Sequence, residues 1–286
     1  MNLQGYRTRF RKSLGKEYVS VMFDIDGTLT EIGESKIPQS LAQNLADLSL
    51  KMPLAFVTGR TISHTRDKIL SQILALSSNP LKTQKNWYFI CENGALGYFF
   101  DTRKKKYDLF YEIKWDMQRL DRKALKAELE HGLKKLCESV EERHTQLLLR
   151  PTGPGMTVAI AKKGAQILEK FEYGDEFEIL DSDLAVHISP KNANKDQGVK
   201  RLAEFLVAKR GIDAGRNAQK IVVIGDQPSI GKNDHALLKG KFGTPFTVGD
   251  ISSEKWPLPI FDGKGNRLKG PKGTEWLVSA ISIANR

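Results

Sequence analysis

Two aspartates stand one residue apart at the end of an apolar run near the start of the chain. The segment "VMFDIDGTLTE" carries Asp24 and Asp26, and Gly27 follows at once. If the run is a strand, side-chain alternation places both carboxylates on one side, and Gly27 lets the backbone approach closely. Carboxylates this close repel each other and need a cation or a shared proton to coexist. A strand end with an Asx-turn is the alternative interpretation of the pair.

Three further apolar runs end in polar or glycine residues. "LAFVTG" leads into Thr58, Gly59 and Arg60, "NWYFICENG" contains Asn93, and "KIVVIGD" ends at Asp226. In open α/β sheets, ligands bind beyond the carboxyl ends of the strands. If these strands are parallel, the four ends converge on one crevice, which packing alone does not explain.

The elements that must position these residues follow an alternating pattern. Apolar runs without polar alternation are typical of strands buried on both faces, as in a parallel sheet. Segments with helical spacing separate them, and their apolar faces carry Leu41, Leu45, Leu48, Val199, Leu202 and Leu206. Gly211 is a stop signal for the second of these helices. The sequence therefore predicts a doubly wound, parallel-sheet α/β core.

The middle of the chain has a different pattern, which predicts an inserted α+β domain. We expect the core in residues 1–96 and 191–286, and the inserted domain in residues 97–190. The insert begins with a predicted hairpin, "GYFFDTRKKKYDLFYEIKW", followed by a long amphipathic helix. The apolar stripe of that helix comprises Leu125, Leu129, Leu133, Leu136 and Val140. The segments "QLLLRPTGPGMTVAIAK", "GAQILEKFEYG" and "FEILDSDLAVHIS" then predict strand, turn, strand, helix and two more strands, with Arg150 and Lys162 on neighbouring strands.

Composition indicates a globular protein and limits its partners. The chain has 286 residues, of which 40% are hydrophobic and 28% charged, and its formal net charge is +11. No segment has the roughly 18 consecutive apolar residues of a membrane helix. The basic start lacks a signal-peptide core and is interpreted as a solvated leader. Cys91 and Cys137 are typical of reduced thiols, so we expect a cytoplasmic protein.

The basic excess would attract anionic partners, either phosphorylated metabolites or nucleic acid. No basic stripe interleaved with aromatic residues is present, so nucleic acid is not the expected partner. No membrane partner is expected, and the sequence leaves monomer and homodimer open.

Four motifs in order, "DIDGTLT", "VTGR", the lysine of "NANKDQG" and "GDQPSIGKND", resemble the haloacid dehalogenase (HAD) superfamily of phosphotransferases. They cover the predicted core. The position of the insert, and the phrase "CENGA", are similar to the subclass with a large α/β cap. The resemblance implies a Rossmann-like core, an aspartyl-phosphate intermediate and a Mg²⁺ cofactor.

The resemblance also implies catalytic roles. Asp24 would be the nucleophile, because an aspartyl-phosphate splits phosphoryl transfer into two easier steps. Asp26 would protonate the leaving oxygen and then accept a proton from the attacking water. Lys195 would balance negative charge and keep Asp24 ionised; a surface role is its alternative.

The implied ligands divide between metal and phosphate. Oxygen ligands suit magnesium, and the family pattern supplies Asp24, the backbone carbonyl of Asp26, Asp226, Asn233 and Asp234. An N-cap role is equally compatible with Asp234. The phosphate would contact Thr58, Gly59, Arg60 and Asn93, although Arg60 has an acidic surface partner as its alternative.

One departure gives an alternative function. Asn233 follows Asp226 by seven residues, a spacing similar to eukaryotic-type phosphomannomutases. The insert keeps Arg150 of that pattern but offers Lys162 or Lys163 for its second arginine, and His187 lies where the mutases place sugar-binding residues. Arg150, Lys162 and His187 are thus candidate substrate contacts. Their alternatives are a solvated surface for the first two and a half-buried strand histidine for the third.

We therefore expect a magnesium-dependent phosphatase acting on a small phosphorylated metabolite, with sugar phosphates as the favoured class. A phosphohexomutase is the alternative, supported by the motif spacing and weakened by the insert residues. A hypothesis from another class, a non-catalytic nucleic-acid-binding protein, is disfavoured by the complete catalytic set.

Overall fold

The computed structural model describes residues 3–252 and 255–284. The strands, numbered in chain order, are β1 (Ser20–Phe23), β2 (Leu54–Val57), β3 (Trp87–Cys91), β4 (Leu96–Asp101), β5 (Lys106–Glu112), β6 (Cys137–Glu142), β7 (Leu147–Pro151), β8 (Phe177–Asp181), β9 (Val186–Pro190), β10 (Ile221–Gly225), β11 (Thr244–Thr247) and β12 (Leu258–Pro259).

The helices, numbered in the same way, are α1 (Leu3–Leu14), α2 (Gln39–Ser49), α3 (Ile62–His64), α4 (Ser71–Leu76), α5 (Pro80–Lys85), α6 (Arg122–Leu133), α7 (Thr157–Leu168), α8 (Lys195–Arg210), α9 (His235–Leu238) and α10 (Gly270–Ala284). A π-helical segment, Thr65–Leu70, connects α3 to α4. Within the described residues, no helix is long and apolar enough to cross a bilayer.

The chain divides into two compact units. The first comprises residues 1–112, 195–229 and 234–286, and the second comprises residues 113–194 and 230–233. The first unit contains an eight-stranded sheet in the order β12-β11-β10-β1-β2-β3-β4-β5. Its pairings are parallel from β12 to β3 and antiparallel from β3 to β5. The predicted parallel-sheet core is confirmed.

The central strands form where the apolar runs predicted them. Every residue of β1, β2, β3 and β10 is buried, as expected for parallel strands covered on both faces. The predicted helical faces are buried too: Leu41 and Leu45 on α2, and Val199 and Leu202 on α8, are 0% exposed.

The second unit contains a four-stranded antiparallel sheet in the order β6-β7-β9-β8. Helices α6 and α7 contribute to its hydrophobic core, which includes Leu129, Ile160, Leu149 and Ile188. This is the α+β architecture predicted for the insert.

The structure places the unit boundaries differently from the sequence. The hairpin β4–β5 pairs with β3 and extends the first unit's sheet to Glu112, whereas the sequence predicts residue 97 as the boundary. The chain returns to the first unit at Lys195 rather than residue 191. Local strand propensity identifies the hairpin but does not reveal which sheet it joins.

Three local predictions were wrong. The segment around "MTVAIAK" is the start of helix α7, not a strand, because its apolar residues also fit a helical period. Helix α6 ends at Leu133, so Val140 lies on β6. From Leu3 onward, the segment predicted as a solvated leader is helix α1, which buries Tyr6 and Phe10 and contacts β12.

Candidate active site

Two neighbouring strands deliver aspartates to one edge of the sheet. β1 and β10 are parallel, with Phe23 opposite Ile224, and the Asp24 N–H continues the ladder by donating to the Ile224 carbonyl oxygen at 2.9 Å. Asp24 follows β1, and Asp226 follows β10. Both residues therefore lie at the carboxyl edge, where ligands of open α/β sheets bind.

A third aspartate reaches the same place from the start of α9. Asp234 occupies the N-cap position, but its side chain makes no capping bond to that helix. Its Oδ2 accepts the N–H of Asp226 at 3.0 Å and that of Gln227 at 3.4 Å. Asp24, Asp226 and Asp234 each place one carboxylate oxygen within 4.8 Å of the other two. We call these three residues the carboxylate cluster.

Two glycines make room for the carboxylate cluster. A Cβ on Gly27 would lie 2.2 Å from Asp226 Oδ2, and a Cβ on Gly225 would lie 2.5 Å from Asp234 Oδ2. Gly27 also has a φ of +74°, a conformation that residues with a Cβ adopt at a cost. A larger residue at either position would therefore force the carboxylate cluster to rearrange.

Lys195, the first residue of α8, is the cation of the site. Its side chain is 1% exposed, and Nζ lies 2.7 Å from Asp24 Oδ1 and 2.6 Å from Asp234 Oδ1. Burial lowers the pKa of Lys195, but the charges of Asp234 and Asp24 outweigh burial, so the net pKa is raised. Lys195 is thus a buried ammonium that joins two members of the cluster, and the surface alternative is excluded for it.

The cluster carries more negative charge than Lys195 can balance. Burial, followed by the charge of Asp234, raises the pKa of Asp24 to about 8 and that of Asp226 to about 9. Lys195 opposes both increases but does not cancel them. Three closely spaced carboxylates offer only oxygen ligands, the type that hard divalent cations prefer. The donor set and its spacing therefore fit such a cation.

Residues 58–60, which we call the 58–60 loop, follow β2 at the same edge of the sheet. The Thr58 N–H donates to the Ile90 carbonyl oxygen at 2.9 Å. Thr58 is buried, and its hydroxyl oxygen accepts the Arg60 N–H at 3.1 Å. The loop thus presents a hydroxyl and backbone groups where the strand gives way to α3.

Arg60 contacts Asp26 rather than an open anion site. Its Nη2 donates to Asp26 Oδ1 at 2.6 Å, and its Nε donates to Oδ2 at 3.2 Å. The two side chains are 23% and 25% exposed. The third nitrogen, Nη1, lies 2.5 Å from Nε2 of His64, so that ring nitrogen is the acceptor. Asp26 itself is not part of the carboxylate cluster.

Asn93 lies in a buried turn after β3. It is 0% exposed, and its backbone N–H donates to the Thr58 carbonyl oxygen at 3.0 Å. The sequence predicts Asn93 as a phosphate contact; in the structure it is a neighbour of the 58–60 loop through its backbone.

The second unit contains the four remaining predicted site residues. Arg150 on β7 is exposed and pairs with Glu141. Lys162 is exposed on α7, which corrects its predicted position on a strand.

His187 and Asn233 are more buried. His187 Nδ1 lies 3.2 Å from Gln146 Oε1, and Nε2 lies 3.4 Å from Ser182 Oγ, so both ring nitrogens have polar neighbours within the second unit. Asn233 Oδ1 is buried and has no hydrogen-bond partner among the described residues.

Two contacts near these residues are not evident from the sequence. His64 lies on α3, four residues after Arg60, which precedes that helix. Lys232 precedes Asn233 and lies 2.9 Å from Asp181 Oδ2, and it also pairs with Asp183. The two aspartates of the turn "LDSDLA" are the sequence feature that indicates acidic partners for a lysine such as Lys232.

The doubly wound sheet with an inserted α+β unit is a fold that this chain shares with several solved structures. IMP-bound IMP-nucleotidase of Plasmodium falciparum is similar, with a TM-score of 0.66 and 16% identity over 97% of this chain and 72% of that chain. Trehalose-6-phosphate phosphatase of Aspergillus fumigatus is similar with a TM-score of 0.52 and 16% identity over 98% of this chain and 97% of that chain. Neither a family model nor a curated protein matches the sequence. The fold expected from the four motifs is confirmed.

Proposed function

We propose that the protein is a magnesium-dependent phosphatase that hydrolyses a small phosphorylated metabolite through a phosphorylated Asp24. The observation that carries this proposal is the buried Lys195, which bonds both Asp24 and Asp234 beside Asp226. A buried ammonium among three carboxylates is costly to maintain as a packing device, because charges removed from water lose their hydration. A reaction that needs a fixed nucleophile and a cation site would account for these buried charges.

The carboxylate cluster would hold the magnesium ion through Asp24, Asp226 and Asp234. When bound, the ion would neutralise phosphate charge and favour in-line displacement. Asn233 and the backbone carbonyl of Asp26 are proposed as further ligands, directly or through water. The excess negative charge of the cluster supports a divalent cation over a monovalent one.

The reaction proceeds in two displacements. A carboxylate oxygen of Asp24 attacks phosphorus, the bond to the leaving oxygen breaks, and Asp26 donates a proton to that oxygen. Water then attacks the phosphorylated Asp24 and gives a proton to Asp26, which releases inorganic phosphate and restores both carboxyl groups. Lys195 orients Asp24 through its bond to Oδ1, and together with the proposed cation it favours the ionised carboxylate.

The pair between Arg60 and Asp26 requires an exchange of partners during this cycle. Asp26 accepts hydrogen bonds from Arg60 through both oxygens, so it must leave that contact and take up a proton from solvent before it can protonate the leaving oxygen. The phosphate of the substrate is a competing bidentate partner for a guanidinium. Arg60 would thus bind phosphate, together with Thr58 and Gly59, as it releases Asp26.

The substrate class is proposed from the neighbours and the residues of the second unit. Trehalose-6-phosphate phosphatase supports a sugar phosphate, and IMP-nucleotidase supports a nucleoside monophosphate. Sugar phosphate remains our first choice. The exposed Arg150 and Lys162 are the proposed contacts to a polar leaving group, while His187 is a weaker candidate because its ring is already hydrogen-bonded.

A turnover screen tests the proposed function. Purified protein is assayed for phosphate release from sugar phosphates, polyol phosphates and nucleoside monophosphates, with magnesium or with a chelator. We expect release from at least one class, only with the metal. Transfer that requires a sugar bisphosphate would instead support the phosphohexomutase alternative, and no turnover of any class would contradict both.

Magnesium is expected to stabilise the protein more at about pH 9 than at about pH 6. The raised pKa values of Asp24 (about 8) and Asp226 (about 9) mean that the folded state binds these protons more tightly than the unfolded chain. Stability of the metal-free protein should therefore fall as pH rises from about 4 to about 9. Thermal unfolding with magnesium and with chelator at both pH values measures the effect. Equal magnesium-induced shifts at the two pH values would contradict it.

Replacing Gly27 with alanine is expected to weaken magnesium binding by roughly tenfold or more. The new Cβ would lie 2.2 Å from Asp226 Oδ2, so that carboxylate must move. Titration calorimetry with magnesium measures the change. Gly153→Ala is the control, because a Cβ there meets nothing within 4 Å; equal affinities in the two variants would show that this contact does not position Asp226.

A further inference from the structure

Three consecutive residues after β3 adopt left-handed backbone conformations. The φ angles are +49° at Glu92, +56° at Asn93 and +104° at Gly94. Glu92 and Asn93 are 2% and 0% exposed. Residues with a Cβ adopt this region at a cost, and such strain persists only where surrounding structure enforces it. We call these residues the 92–94 turn.

The 92–94 turn holds both ends of the 58–60 loop. The Asn93 N–H donates to the Thr58 carbonyl oxygen at 3.0 Å, and the Glu92 N–H donates to the Arg60 carbonyl oxygen at 3.3 Å. The left-handed conformation is what points two successive backbone N–H groups at one loop. The orientation of the Thr58 hydroxyl and of Arg60 thus depends on the turn.

Tyr111 on β5 contacts the 92–94 turn. In the sheet, β4 lies between β5 and β3. The Tyr111 hydroxyl donates to the Gly94 carbonyl oxygen at 2.9 Å. Burial raises the pKa of Tyr111, so the hydroxyl keeps its proton. A Cβ on Gly97 would lie 2.2 Å from the Tyr111 ring, so this glycine leaves space for the tyrosine side chain.

We propose that Tyr111 is a positioning residue for the phosphate-binding 58–60 loop. It acts through the Gly94 carbonyl and the 92–94 turn, and it contacts neither the carboxylate cluster nor the reacting atoms. This inference rests on the proposed phosphatase function of the same site. In this proposal the backbone N–H of Asn93 supports the 58–60 loop, and Asn93 is not a direct phosphate contact.

Strand β5 offers a matched control. Tyr107 lies four residues before Tyr111, and its hydroxyl is buried with no hydrogen-bond partner among the described residues. Its ring packs against Phe89 and Phe100. Tyr107→Phe therefore removes the same atom as Tyr111→Phe but breaks no described hydrogen bond.

The test compares the two variants in kinetics and in hydrogen exchange. For Tyr111→Phe we expect kcat/KM for p-nitrophenyl phosphate to fall about tenfold, mainly through KM, with a similar rise in the inhibition constant of inorganic phosphate. Amide exchange in residues 91–96 should become faster. Tyr107→Phe should match the wild type in all three measurements.

The outcomes separate this inference from the proposed function. A Tyr111→Phe variant with a lower melting temperature but wild-type KM, phosphate inhibition and exchange would overturn the positioning role. If the wild type hydrolyses no phosphomonoester, the proposed function fails and with it the kinetic part of the inference. Hydrogen exchange still decides whether Tyr111 holds the turn, because faster exchange supports that contact and unchanged exchange overturns it.

Discussion

Replacing Asp24 with asparagine is expected to lower phosphate release by at least about 1,000-fold. An amide oxygen is a poor nucleophile, and the change also removes one carboxylate from the proposed metal site. The fold should survive, because Lys195 keeps its bond to Asp234 at 2.6 Å. Phosphate release from the best substrate of the screen, at saturating magnesium, measures the effect.

Asp47→Asn is the matched control for this variant. Asp47 is exposed on α2 and bonds Gln43 at 3.1 Å, so its replacement should leave turnover unchanged. Turnover by Asp24→Asn above about one hundredth of the wild-type rate would remove Asp24 as the nucleophile.

Replacing Lys195 with methionine is expected to lower kcat by about 100- to 1,000-fold. Methionine fills much of the space of the lysine stem but leaves Asp24 and Asp234 without their ammonium, and removing one partner of a buried ion pair costs about 3–5 kcal/mol. The metal-free variant should therefore unfold at a lower temperature. Steady-state kinetics and thermal unfolding, each with and without magnesium, measure the two effects.

Lys200→Met is the control on the same helix. Lys200 is 45% exposed, and its ammonium lies 3.9 Å from Glu204, a surface pair that contributes little. It should change neither kcat nor stability appreciably. Similar losses in the two variants would mean that helix α8, not the buried charge of Lys195, accounts for the effect.

The sheet and its carboxyl edge were predictable because the signal is local. Runs such as "KIVVIGD" are apolar throughout and end in a polar residue, so burial on both faces and the position of Asp226 follow from the same segment. The burial of Lys195 was harder to predict, because only the resemblance to a family motif distinguishes it from the nearby Lys191 and Lys200; the local pattern of "NANKDQG" does not. Its partners come from segments more than thirty residues away in the sequence.

Contacts between side chains of distant segments account for what the sequence did not show. The pairing of Arg60 with Asp26 depends on how far β1 and β2 are offset, and the role of Tyr111 depends on the hairpin β4–β5 joining the first unit's sheet. The helix α7 was mistaken for a strand because "TVAIA" is rich in residues with strand propensity. Its burial of Ile160 and Ile167 against the second unit's sheet decides the helical form.

In the proposed reaction, Asp24 carries the phosphoryl group between the two displacements. Acid quenching of a single turnover, with substrate labelled in its phosphoryl group and followed by peptide mapping, tests it directly. We expect transient label on the peptide that contains Asp24, and none in Asp24→Asn. Label on another residue, or single-turnover hydrolysis in which no protein-bound label forms at any time, would contradict it.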